Sequence, residues 1–385
     1  LNLVKVIRNG DITAGTITSW ADRYFSDAEA ASSAVGAGDV LITTSGQIGK
    51  CVMGRDGYCA SNFVRILRPD SRLIDGQFLM YVLMTPAASA GMQRWSGGST
   101  IQNLRTGFFR ESVVNLPPLS EQRRIVAAID EHLSRMDAAT ASLGAANRRA
   151  GALRNSLLRN AIAGSSEQPI GKFSRVFVGS TPSRRRAELW GGGVPWVSSG
   201  EVAFGRISRT RETISPSAVT AGRVHPAGTV LLGMIGEGKT RGQAAILDVP
   251  AAHNQNSAAI RLDVELCTPE WLFYVLMARY EVTRRAGSGG QQPALNKSRV
   301  ESLSVPLPPV GEQRRIVTEI EQRLSAIDEL RAAIERSRRK AASLRRAVLE
   351  RAFRGDLVPQ DPTDEPAAVL LERVRAERTA AVKHS

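Results

Sequence analysis

Residues 233–240 read GMIGEGKT and match GxxxxGK[ST], the spacing that lets glycine-freed amides and a lysine wrap a nucleotide phosphate. That chemistry needs a strand before the loop and a helix after it, so that the helix N-terminus faces the anion. Here the next residues are RGQAAILDV, a glycine and then a strand-like run, which predicts a turn between two strands. The matching place in the first half of the chain reads TSGQIGKC and lacks the pattern. Lys239 and Arg241 are therefore expected on a hairpin tip rather than around ATP. Methyl transfer to a base amine would need a glycine-rich donor loop and an (Asn/Asp/Ser)-Pro-Pro-aromatic pocket. Both Pro-Pro pairs, at Pro117 and Pro308, instead follow leucine and precede a helix. No D…(E/Q)xK nuclease cluster stands out. Cys51, Cys59, Cys267 and the four histidines show neither CxxC nor HxxxH spacing, so no metal site is expected. His225 and His253 read as surface or turn histidines. No catalytic residue and no cofactor is assigned.

The basic residues are better placed for chemistry of another kind. The formal net charge is +14 and the isoelectric point near 10.5, a balance that suits a polyanionic partner, above all nucleic acid. Arginine binds phosphate and can read guanine edges, while lysine binds phosphate as a point charge. The candidate DNA contacts are Arg65, Arg94 and Arg105 in the first half, and Arg184, Arg185, Arg186, Arg206, Arg209, Lys239, Arg241 and Lys297 in the second. Asn103 and Asn296 occupy equivalent places and are expected to be structural turn residues. The few cysteines suit a reducing cytosol. No apolar run is long enough to span a bilayer, so a cytoplasmic protein without a membrane partner is expected.

These side chains need elements to position them, and the plan of those elements repeats. LPPLSEQRRIV (residues 116–126) returns as LPPVGEQRRIV (residues 307–317), and the match runs without a gap from Leu116 to Gly164 and from Leu307 to Gly355, with 21 identities in 49 positions. The proline pair excludes earlier helix, Ser120 is expected as N-cap with Gly311 in its place in the second copy, and Gly164 and Gly355 close the two helices. About 44 residues at 1.5 Å each make a rod of roughly 65 Å. Val126, Ile129, Leu133, Met136, Leu143, Ala150, Leu153 and Leu157 form an apolar seam. Val317, Ile320, Leu324, Ile327, Leu330, Ile334, Leu344 and Val348 form another, as in a coiled coil with a discontinuity.

Before each rod lies a β-rich region, and these two also resemble one another: AGDVLITTSGQIGK (37–50) parallels AGTVLLGMIGEGKT (227–240). The expected fold class is α+β, with two β-rich domains at opposite ends of an antiparallel pair of long coiled-coil helices, a pseudo-two-fold dumbbell. The parts are 1–115 (first globule), 116–164 (first rod), 165–306 (second globule), 307–355 (second rod) and 356–385 (tail helix). The chain starts at Leu1 rather than Met, almost directly on a strand, which reads as a truncated or mis-called start.

Two variable globules alternating with rods that open on LPP and EQRRIV resemble the specificity subunit of type I restriction-modification enzymes. The resemblance covers nearly the whole chain, including GDLVPQDPTDEPAAVLLERVRAER (355–378), and is strongest in the helices. It implies that each globule is a target-recognition domain reading half of a bipartite, asymmetric site in double-stranded DNA. It implies too that the rods dock two modification (methyltransferase) subunits, and through the complex a restriction motor-nuclease subunit, with all catalysis in those partners. The docking residues would be Glu121, Gln122, Arg123 and Arg124, and Glu312, Gln313, Arg314 and Arg315. One departure is that residues 170–193 have no counterpart in the first globule. A stand-alone DNA-binding regulator or architectural protein on the same plan is the alternative.

Overall fold

The computed structural model describes residues 3–13, 15–17, 23–98, 100–219, 222–236, 239–285 and 294–383. The chain folds as two compact units, one of Leu1–Gly144 with Glu335–Ser385 and the other of Ala145–Ile334, so each unit takes one part of each long helix.

Unit 1 contains β1 (Leu3–Ile7), β2 (Tyr24–Ser26), β3 (Ala34–Val35), β4 (Val40–Thr43), β5 (Cys51–Met53), β6 (Tyr58–Ala60) and β7 (Val64–Leu67). They build a sheet ordered β2-β1-β6-β3 and a sheet ordered β5-β4-β7. The run VLIT of β4 is buried on both faces, as its unbroken apolar character requires. Helix α1 (Gly76–Leu83) starts at Asp75, whose carboxylate accepts from the Gln77 and Phe78 amides.

Helix α2 (Leu119–Ala161) then leaves unit 1 for unit 2, which holds β8 (Glu167–Pro169), β9 (Ser174–Val178), β10 (Trp190–Val197), β11 (Gly205–Ile207), β12 (Glu212–Ile214), β13 (Val230–Gly233), β14 (Ala244–Leu247), β15 (Ala252–His253), β16 (Ser257–Leu262) and β17 (Ser304–Pro306). Its sheets are ordered β9-β16-β13-β14-β11, β12-β10-β15 and β8-β17. Helices α3 (Pro269–Ala278) and α4 (Lys297–Ser302) precede α5 (Val310–Arg354), and α6 (Ala367–Lys383) ends the chain. The repeat is visible in the registers. Val40 pairs with Leu67 as Val230 pairs with Ile260, and Val6 lies parallel to Cys59 as Trp196 lies parallel to Ala252.

Both rods begin directly after their proline pair, and in one respect this corrects the sequence reading. The Gln122 amide donates to Pro118 and the Gln313 amide to Pro309, so Ser120 and Gly311 lie inside the first turn rather than at its cap. The closing glycines behave as expected: Gly164 has φ +97° and Gly355 φ +86°, a region open chiefly to glycine. After α5 the Asp356 amide reaches Arg351 and that of Gly355 reaches Ala352, the paired bonds of a Schellman end. Within each unit the rods run antiparallel. In unit 1 Ile125, Ile129 and Leu133 share a core with Leu349 and Ala352, and Arg345 meets Asp137 at 2.7 Å. In unit 2 Leu158 packs on Ile320 and Leu324, and Arg331 donates to Asn147. Burial is concentrated toward the rod ends, where a globule widens the covered face. Ile125 and Leu158 are buried, whereas Leu153, Leu330 and Leu344 of the expected seams are about half exposed.

Candidate nucleic-acid interface

The glutamine of the repeated phrase is the residue that positions each globule on its rod. Gln122 is fully buried; its carbonyl accepts from the Asp75 amide at 2.8 Å, and its NH2 donates to the carbonyls of Leu73 (3.0 Å) and Pro117 (2.9 Å). Gln313, equally buried, accepts from the Thr268 amide at 2.9 Å and donates to Leu266 and Pro308, both at 2.8 Å. Asp75 and Thr268 are the N-caps of α1 and α3, so the rod and the globular helix are tied at their starts. Both amide hydrogens and the oxygen are used, which satisfies the buried group. One helical turn or more further on, a second tie repeats: Tyr81 donates to Asp130, and Tyr274 to Glu321 at 3.4 Å. Burial, with the Asp130 carboxylate beside it, pushes the Tyr81 hydroxyl up to about 12, so it remains a donor.

Seen from these ties, the residues expected to dock a partner separate. Gln122 and Gln313 are spent inside the chain, and Glu121 is largely buried. Arg123, Glu312, Arg314 and Arg315 are exposed. Arg124 is taken by Asp364, with Nη2 to Oδ2 at 2.7 Å, and Ser120 donates to the same carboxylate. Its counterpart Arg315 has only loose partners, Glu312 at 3.8 Å and Glu319 at 3.7 Å.

The DNA candidates separate in the same way. Arg184 forks onto Glu212, with Nη2 to Oε2 at 2.8 Å, and its guanidinium lies 3.6 Å from the Trp190 ring centre. Arg186 meets Glu188 at 2.7 Å. Arg206 bridges Asp248 (2.7 Å) and Glu270 (3.0 Å), and Lys297 meets Glu301 at 3.6 Å. Arg241 is half-buried. Arg65, Arg94, Arg105, Arg185, Arg209 and Lys239 are exposed, with no carboxylate partner among the described residues. These six are the cations whose charge is most available to phosphate.

Lys239 sits as the sequence reading expected. β13 and β14 are antiparallel, with Val230 opposite Ile246, so a strand and not a helix follows the loop; Glu237 and Gly238 of that loop lie outside the described residues. Asn296 caps α4 by accepting from the Arg299 amide. The histidines correct the reading. His225 and His253 are buried with ring centres 5.0 Å apart, and Arg261 donates to His225 Nδ1 at 2.9 Å. Burial first, then the neighbouring cationic groups, depresses His225 to about 3, and burial depresses His253 to about 4. Arg261 also donates to the Val224 carbonyl, as Arg68 does to Ala34 in unit 1. That shared anchor was missed in the sequence, because the two arginines fall a few residues off the spacing of the repeat. Among the described residues no group of three or more His, Cys, Asp or Glu could hold a metal, and no helix is long and apolar enough to cross a membrane.

Comparison with known proteins decides the family. The profile of the "Type I restriction modification DNA specificity domain" matches residues 4–143 and again 168–341. The chain belongs to that family. The type I restriction enzyme MjaIX specificity subunit of Methanocaldococcus jannaschii is 30% identical over 188 residues, 47% of this chain and 41% of that one, so the match spans about two fifths of the relative. The EcoKI specificity subunit of Escherichia coli K12 is 23% identical over 379 residues, covering 89% of this chain and 81% of the other. Among solved structures, the HsdS subunit of Thermoanaerobacter tengcongensis shares the fold with a TM-score of 0.58 at 21% identity, over 92% of this chain and 91% of that one. A chain of a type I R-M system whose title concerns complex assembly and conformational transition reaches 0.79 at 21% identity, over 92% of both. Each matched stretch begins in a β-rich part and ends within one of the long helices.

Proposed function

We propose that this chain is the DNA-reading subunit of a type I restriction-modification complex. In this reading each globule reads one half of a bipartite, asymmetric double-stranded site. The two rod starts dock two adenine methyltransferase subunits, and through them the ATP-dependent restriction subunit; the chain itself contributes no catalytic group. The observation that carries the reading is the repeated glutamine tie, the same at both rod starts, set beside cationic surfaces that differ between the globules. The shared glutamine tie suits two like partners, with Arg123 as the outward contact at the first start and Glu312, Arg314 and Arg315 at the second. Different surfaces suit two different half-sites, with the six available cations holding the phosphate backbone. The test is to co-express the chain with its modification subunit and map adenine methylation in a host free of other methylases. One split motif is expected only when both are present. Methylation by the purified chain alone, or an unsplit motif, would overturn the proposal.

A further inference from the structure

The tip between β13 and β14, whose sequence mimics a phosphate loop, is held from outside its own hairpin. It is the longer of the two tips: the paired Val230 and Ile246 stand further apart in the chain than the paired Val40 and Met53 of unit 1. The brace is Tyr280, which opens a short helix, Tyr280–Arg285. Its hydroxyl donates to the Lys239 carbonyl at 2.6 Å and accepts from Arg284 Nη1 at 3.1 Å, so the phenol oxygen is used in both directions. Gly242 lets the chain returning to β14 lie flat on the same helix. Its φ is +84°, and a Cβ there would meet the Arg284 nitrogen at 3.3 Å and Tyr280 Cδ2 at 3.4 Å. Behind Tyr280 stands Phe204, in edge contact with 5.3 Å between ring centres. Phe204 has φ +45°, the one positive value of a non-glycine residue among those described, and such a backbone persists only where its surroundings hold it. Counted from the N-caps Asp75 and Thr268, Ala87 and Gly91 stand in unit 1 where Tyr280 and Arg284 stand in unit 2, so unit 1 has no phenol at that place.

The brace fixes the main chain of a lysine whose side chain is exposed and has no carboxylate partner among the described residues. A cation on a loose tip must be ordered when it binds, and a backbone already set removes that cost. We propose that Tyr280 is a positioning residue that presents Lys239 to one phosphate of the DNA strand held by unit 2. The proposal deepens the half-site reading and rests on it. Tyr280 touches no nucleotide; it acts through the Lys239 carbonyl, while Phe204 and Gly242 hold its ring in place. The contact belongs to one half-site only, because unit 1 lacks the brace.

The experiment is a double-mutant cycle on the full chain, read as affinity for a fluorescent DNA duplex of fixed sequence across a salt series. Lys239→Gln should weaken binding roughly three- to tenfold and flatten the slope of log affinity against log salt by about 0.9. Tyr280→Phe keeps the ring but not the hydroxyl. It should weaken binding roughly two- to fivefold on the parent and have no further effect on the Lys239→Gln chain. Unchanged affinity of the Tyr280→Phe chain overturns the proposal. So does an equal loss in both backgrounds, which would mark general damage to unit 2 rather than action through Lys239. The cycle needs no methylation, so an unsplit methylated motif would sink the half-site reading while the cycle still judges the brace.

Discussion

Gln122 and Gln313 each spend two amide hydrogens and one carbonyl oxygen on main-chain partners inside the protein. Truncation of either to alanine strands a buried N–H and two carbonyls, so a loss of about 2–4 kcal/mol is expected in chemical denaturation. Glutamate should be worse than leucine at the same place, because a carboxylate has no hydrogens for the two carbonyls and adds a buried charge. The second residue-scale expectation concerns the histidine pair. In the unfolded chain both imidazoles titrate near 6.5, and in unit 2 they are depressed to about 3 and about 4. As the pH falls below 6.5 the unfolded chain takes up protons first. The stability contributed by the neutral pair is therefore complete above 6.5 and is lost as the pH falls toward 4. Each histidine contributes about 1.4 kcal/mol per pH unit of its window. Denaturation midpoints between pH 7 and 5 should show the slope, and a His225→Asn/His253→Asn chain, which keeps an acceptor for Arg261, should lose it. None of this was visible in the sequence: "EQRR" advertises charge, and a lone histidine carries no sign of how deeply it will be buried.

The rods were the most legible elements, because two proline pairs, two closing glycines and an apolar period of three and four bracket them without ambiguity. Their length came out within a residue or two, at 43 and 45 residues. Which seam positions would be covered was less legible, since periodicity names a face but not what lies on it. Ile129→Ala, in a core with Phe78 and Leu349, should cost about 2–5 kcal/mol, whereas Leu330→Ala, half exposed, should fall within roughly 0.5 kcal/mol of the parent. Equal losses in thermal denaturation would show that the rods are covered evenly. The tail belongs at this scale too. Asp364 holds Ser120 and Arg124, Arg72 meets Glu377 at 2.8 Å, and Leu370 and Val374 are buried. Asp364→Ala should leave the rest of unit 1 folded while α6 becomes a preferred site of limited proteolysis, with cleavage after residue 364 rising several-fold.

For the whole molecule, the excess of fourteen positive charges makes any DNA affinity a function of salt. Each phosphate contact contributes a slope of about 0.9 in log affinity against log salt. Changing Arg65, Arg105, Arg185 or Arg209 to glutamine should flatten that slope by up to about one unit each. Arg184→Gln should instead loosen the Trp190 and Glu212 surroundings, with little change of slope, because the parent guanidinium is already held by Glu212 and Trp190. A second whole-molecule expectation is that exchanging residues 165–306 for those of a relative alters one half of a methylated motif and leaves the other. Why such an exchange should fold at all follows from the glutamine ties. On the globule side each tie touches only main chain, the amide of Asp75 or Thr268 and the carbonyl of Leu73 or Leu266. The glutamine thus asks nothing of a globule's side chains, only one N–H and one C=O in the right places, and the second tie asks for a single tyrosine hydroxyl. On the proposed function, the remaining surface of a globule can then drift, or arrive by recombination as a ready-made cassette, and the socket will accept the newcomer.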